Sequence, residues 1–154
     1  MTAESQPVFR VAEEIFLVGT MAIYGSQAEA SEGIPRQWRA FREAHPELGN
    51  GARFCGASPC TDDGKIHYMT GVVGEEVLDG DRLTLVGGEY AFVRVEDAAQ
   101  LRETWIWLLR RWLPGSGRTE RNAPEFERFT SVDENGAPVG AVEIWIPLEA
   151  VAGG

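Results

Sequence analysis

The chain has 154 residues, 44% of them apolar, and carries 14 basic against 24 acidic side chains for a formal charge of −10. That length suits one domain able to bury a core, and no disordered composition is visible. The acidity, spread along the chain, repels phosphate backbones and argues against direct DNA or RNA binding; it favours cationic small molecules or a basic surface on a protein partner.

No apolar run reaches the length of a membrane span, and the start, MTAESQPVF, lacks the charged-then-apolar layout of a signal peptide. The expected setting is cytoplasmic, without membrane contact. The two cysteines, Cys55 and Cys60, fall in CGASPC, and the two histidines, His45 and His67, stand at no familiar ligand spacing. Reduced structural thiols are expected, with no metal and no cofactor.

In chain order, VFRVAEEIFLVGTMAIYG (8–25) is rich in β-branched and aromatic residues and reads as one long strand with Gly19 as the place for a bend. SEGIPRQWRAFREAHPELGN reads as a helix: Pro35 suits its first turn, Trp38, Phe41 and His45 share a face, and Gly49-Asn50 follows the stop. GARFCGASPC and KIHYMTGVVGEEV flank the turn TDDG and make a hairpin. After the LDGD turn, RLTLVGGEYAFVRVE is a strand, or a pair of strands interrupted at Gly87-Gly88. Asp97 can cap a second helix whose apolar stripe is Leu101, Trp105, Leu108 and Trp112; Trp107 lies off that stripe, and Pro114-Gly115 ends the helix. PEFERFTSVDENGAPVGAVEIWIPLEAV supplies a last hairpin around Glu134-Asn135-Gly136, and AGG reads as a loose tail.

The order is β-α-β-β, a connecting strand region, then β-α-β-β again. Laying RFCGASPCTDDG over EFERFTSVDENG pairs Phe54 with Phe126, Cys55 with Glu127 and Gly64 with Gly136, which suggests a duplication. The expected architecture is α+β: duplicated β-α-β-β units forming one curved antiparallel sheet, with two helices packed on one face and a cleft between them. The expected domain is a single unit spanning 1–154, with a core at about 8–149.

IPRQWRAF, HYMTGVV, GGEYAFVRV, RRWLPGSG, PEFERF and VEIWIPL occur in an order that resembles the GyrI-like small-molecule-binding domain, the family of the gyrase inhibitory protein and of the effector-binding domains on AraC-type and MerR-type multidrug regulators. WLP-x-SG followed by a P-x-F-E-R-aromatic strand is the most specific combination. The resemblance implies a cavity for bulky, often cationic aromatic compounds, with the glutamate of P-x-F-E inside it; the matching residue is Glu127. It also implies that Tyr68 faces the ligand and that Trp38, in the IP-x-x-W segment, is a wall. Phe129 stands where relatives commonly have tyrosine, and the position matching Tyr68 in the second hairpin is near Gly140, so one ring wall is absent.

Strand alternation in PEFERF puts Glu125, Glu127 and Phe129 on one face and Pro124, Phe126 and Arg128 on the other. A buried lone carboxylate is costly, and a delocalised cation would relieve that cost, with aromatic faces adding roughly 0.5–2 kcal/mol each. The candidate binding residues are Glu127, Trp38, Tyr68, Tyr90, Trp105, Phe41 and Phe129. The competing reading pairs Glu127 with Arg118, Arg121 or Arg53, and each aromatic taken singly fits an ordinary core.

The favoured function is a freestanding binding protein for bulky amphipathic cations, as monomer or homodimer. One alternative, implied by the resemblance, is hydrolysis of strained cyclopropane-bearing genotoxins, with Glu127 as base and Tyr68 or Tyr90 as donor. The other is a gyrase-inhibitor-like contact with a separate protein partner. No nucleophile motif, phosphate loop or metal set is present in the sequence, which sets catalysis behind binding. With the first strand starting so near Met1, no helix-turn-helix extension is expected and the chain is not read as a one-component regulator.

Overall fold

A computed structural model describes residues 6–48, 53–59, 61–74 and 79–151. Gly49-Asn50, Cys60 and the AGG tail lie outside the described residues. The elements are β1 (Val8–Ala12), β2 (Ile15–Tyr24), α1 (Gln27–Ala44), β3 (Phe54–Ser58), β4 (Ile66–Val73), β5 (Asp81–Leu85), β6 (Gly88–Val95), α2 (Leu101–Trp107), β7 (Glu125–Phe129) and β8 (Val142–Pro147). All eight strands join one sheet in the order β1-β6-β8-β7-β3-β4-β2-β5, and every named pairing is antiparallel.

Two short links force this sheet to curl. Glu13-Glu14 joins β1, at one edge, to β2, next to the other edge, and Val86-Gly87 joins β5 to β6 in the same way. Laid flat, strands six places apart would be about 29 Å from each other. A two-residue link spans at most about 11 Å. The result is a half-barrel, with its second face closed on a core of Leu17, Met69, Leu85, Tyr90, Phe126 and Trp145. The expected long first strand is therefore two, and the break falls at Glu13-Glu14, not at Gly19. Gly19 lies inside β2, where a Cβ would meet the Thr70 carbonyl oxygen at 1.9 Å, so the close approach of β4 leaves room for no side chain.

Both helices cover the other face. α1 starts well before Pro35, which lies inside it and not in its first turn. Ser26-Gln27-Ala28-Glu29 is a capping-box sequence: the Ser26 hydroxyl accepts from the Glu29 amide at 3.2 Å, and the Glu29 carboxylate accepts from the Gly25 amide at 3.0 Å. That start signal outweighs the interior proline. Gln37 pins the helix to the sheet, donating to the carbonyls of Thr20 and Tyr68 at 2.9 and 3.0 Å and accepting from the Tyr24 hydroxyl at 2.7 Å. Asp97 caps a short 3-10 turn, Ala98–Gln100, that runs into α2; the helix then widens into a π turn, Leu108–Trp112, and ends at Leu113–Gly115. Leu108 is fully buried, and Trp105, Trp107 and Trp112 pack around the core of Ala91, Val93, Ile144 and Ile146. Trp107, off the expected stripe, thus reaches that core.

α1 rests on β2 and β4, and α2 on β6 and β8. The helices straddle the two central strands, β7 and β3. The overlay that sets Phe54 on Phe126 is out of step by one residue. Phe54 faces the helices beside Trp38, whereas Phe126 faces the opposite core beside Tyr90. A one-residue slip exchanges sheet faces.

Candidate functional site

Glu127 stands in β7, on the helix side, in register with Gly56 of β3. Tyr68 comes from β4, on the far side of β3. Its ring leans across the strand at Gly56, where a Cβ would meet the phenol oxygen at 1.9 Å. The missing side chain lets the Tyr68 hydroxyl donate to Glu127 Oε1 at 3.1 Å. From the other helix, Trp105 Nε1 donates to Glu127 Oε2 at 2.8 Å. Trp38 Nε1 donates in turn to the Tyr68 oxygen at 3.0 Å. One connected network, Trp38–Tyr68–Glu127–Trp105, thus spans the gap between the two helices.

The three arginines that compete for Glu127 in the sequence are engaged elsewhere or point away. Arg118 pairs with Glu89. Arg121 donates to the carbonyls of Leu148, Gly87 and Glu89. Arg53 lines a hollow at the strand ends. Among the described residues no cation lies within 4.0 Å of the Glu127 carboxylate. Burial raises its pKa, while the Trp105 and Tyr68 hydrogen bonds pull it back down. Burial, reinforced by the Glu127 charge, pushes the Tyr68 phenol well above its ordinary value. The carboxylate group sits deep, yet Glu127 and Trp105 as residues are only half-buried, so the network keeps an opening.

Behind it stands a block of rings. Trp38 meets Phe41, Phe54 and Phe129 edge to face, at centroid distances of 5.9, 6.0 and 4.9 Å. Trp38, Phe41 and Phe129 are each at most 3% exposed, so they form a backing to the network. Edge-to-face pairs contribute about 0.5–1.5 kcal/mol each beyond their buried area. Tyr90 is not brought into this group. It lies on the opposite face, its hydroxyl donating to the Val86 carbonyl and its ring against Phe126 and Trp145.

A pair of carboxylates adjoins the site. Glu125 shares the helix-side face of β7 with Glu127 and hydrogen-bonds Glu120; burial, then the Glu120 charge, pushes its pKa up to about 8. Glu120 lines a surface hollow of about 560 Å3 together with Thr61, Asp62, Arg121, Asn122 and Glu149. Its walls are polar, and Thr61, Asp62, Asn122 and Glu149 are exposed. The carboxylate held by two aromatic donors is the more specific feature, because among the described residues it pairs with no cation.

Gly56 and Glu120 are the site residues that sequence reasoning passes over. For Gly56 the signal is a glycine on the ring-bearing phase of a strand, flanked by Phe54 and Ser58. Glu120 gives no local signal, since it meets Glu125 only through the bridge that sets Glu120 opposite Leu148.

The family described as Cass2, integron-associated effector binding protein, matches residues 11–148. No curated protein matches the chain. Among solved structures, SAV2435 bound to tetraphenylphosphonium aligns with a TM-score of 0.74 at 21% identity, covering 94% of each chain. A putative bacterial transcription regulation protein from Staphylococcus aureus MU50 aligns at 0.71 and 22% identity, covering 94% of this chain and 99% of its own. An integron cassette protein from the mobile metagenome of Vibrio cholerae aligns at 0.70 and 14% identity, covering 94% and 96%. The match and these neighbours fit the GyrI-like resemblance, and the shared fold is the curled eight-stranded sheet with two helices.

Proposed function

The chain belongs to the Cass2 family of integron-associated effector binding proteins, and from that premise we propose that it binds bulky amphipathic cations between α1 and α2, with Glu127 selecting the charge. The observation that carries this reading is the Glu127 carboxylate, held by an indole and a phenol and by no guanidinium of the described residues. An ionised carboxylate in such a place is costly. A delocalised positive charge beside it offsets that cost, and the half-buried Trp105 ring supplies a face for stacking or cation–π contact. Trp38, Phe41 and Phe129 hold the wall rigid from behind, and apolar burial sets most of the affinity. The structural neighbour solved with tetraphenylphosphonium supports this class of ligand.

Hydrolysis is less well supported. Both oxygens of the would-be base already accept hydrogen bonds, from Tyr68 and from Trp105, which lowers its basicity, and the Tyr68 hydroxyl is engaged by the base itself.

Tryptophan fluorescence quenching tests the proposal with tetraphenylphosphonium and with its neutral analogue tetraphenylmethane solubilised in the same detergent. In Glu127→Gln the cation is expected to bind about tenfold more weakly, the neutral compound unchanged. Because burial raises the Glu127 pKa, cation affinity in the native chain should climb as pH rises out of the usual carboxylate range, and the variant should lose that climb. Equal loss for both compounds, or none for either, sinks the charge-selecting role.

A further inference from the structure

A second hollow, of about 320 Å3, opens where β3, β6, β7 and β8 end, and Arg53, Arg94, Arg128, Thr130 and Glu143 line it. In a chain of net charge −10 with only 14 basic residues, three guanidiniums around one small space are unexpected.

The strand registers bring them together. Glu143 of β8 lies opposite both Arg94 of β6 and Arg128 of β7, a position from which one carboxylate could bridge two arginines. It does not do so. Glu143 Oε1 instead accepts from the indole of Trp145 at 3.1 Å. Arg94 donates from Nε to Glu96 at 2.8 Å, where both side chains are exposed, while still lining the hollow. Among the described residues no carboxylate lies within 4.0 Å of Arg53 or Arg128. Even with Glu143 and Glu96 counted, the hollow holds three positive charges against two. Arg128 is also half-buried, where an unbalanced charge is costly.

We propose that this hollow binds a small tetrahedral dianion, a free phosphate or the phosphate group of a monoester. Arginine forks approaching from three strand ends suit an oxyanion with acceptors in several directions, and the Thr130 hydroxyl adds a neutral donor. The volume admits an anion with a small organic group but lies at the lower end for drug-sized ligands. This site differs from the cation cleft in the sign of its charge, and Glu127 does not line it, although Phe54 and Phe129 lie between the two.

Phosphorus NMR and titration calorimetry on the whole chain, in chloride buffer, test it with inorganic phosphate and with phenyl phosphate. Saturable binding is expected for at least one of them, weakened about tenfold or more by Arg53→Met and by Arg128→Met. Arg53 is exposed, so its variant keeps the fold even where Arg128→Met loosens it. Arg82→Met, which removes a cation stacked on Phe16 away from the hollow, should leave binding unchanged. Tighter binding of phenyl phosphate assigns the hollow to a monoester, and equal binding assigns it to the free ion. No saturation with either compound at about 10 mM, or binding that survives Arg53→Met, overturns the proposal.

Discussion

Two glutamates two residues apart on one strand have opposite kinds of neighbour. Glu127 is met by donors, whereas Glu125 is met by another acid, Glu120. Burial and that like charge raise the Glu125 pKa from 4.5 to about 8, so the folded chain prefers its protonated form. The stability this contributes is complete below the ordinary carboxylate pKa and is lost as pH rises through about 8. Glutamine imitates the protonated acid at every pH. Glu125→Gln should therefore melt with the native chain at about pH 5, and about 2–4 °C above it at about pH 9. Thermal unfolding followed by circular dichroism at both pH values reads the difference; parallel melting curves would show that Glu125 and Glu120 do not share a proton.

At the scale of elements, the decisive feature is a close approach across three strands. The Tyr68 side chain on β4 reaches Glu127 on β7 only because β3 carries glycine between them. Gly56→Ala puts a methyl group where the phenol lies, and the ring must leave Glu127. The expected outcome is cation affinity reduced by about tenfold, with a loss of stability of about 1–3 kcal/mol from the unpaired carboxylate oxygen and overpacking. Fluorescence titration and denaturant unfolding measure the two effects; native affinity in the variant would remove Tyr68 from the site. The helix α1 is held from its middle to its last turn by a second close approach. Gly136, at φ +86°, lies against the Pro35 carbonyl, and Arg42 donates to the Val132 carbonyl, so the loop after β7 anchors the helix that carries Trp38.

For the whole molecule, closure of the half-barrel depends on the short links between its edges. Arg121 lies beside one of them, donating to the Gly87, Glu89 and Leu148 carbonyls and stacking over Tyr90 at 5.1 Å. Hydrogen bonds from a charged donor contribute about 1.5–3 kcal/mol. Arg121→Met should lower the melting temperature by about 5 °C and increase amide exchange in β1 and β5, the two edge strands. Exchange rising only locally around Gly87 would show that the edges are held by the core alone. No helix among the described residues is long and apolar enough to cross a membrane.

Much of this was legible in the residues themselves. The period-two pattern of PEFERF sets Glu127 and Phe129 on one face and Phe126 on the other, and the turn sequences around Gly64 and Gly136 mark the hairpins. Those signals are local, because backbone geometry ties side-chain direction to the next few residues. The start of α1 was written in Ser26-Gln27-Ala28-Glu29 but masked by a proline that more often opens a helix. What the sequence could not decide is register and closure. Whether Tyr68 meets Glu127, whether Tyr90 joins them, and whether Arg94 and Arg128 share Glu143 depend on which strands lie side by side and by how many residues they are offset. Those choices are settled by packing between residues far apart in the chain, where a shift of one position exchanges the two faces of the sheet.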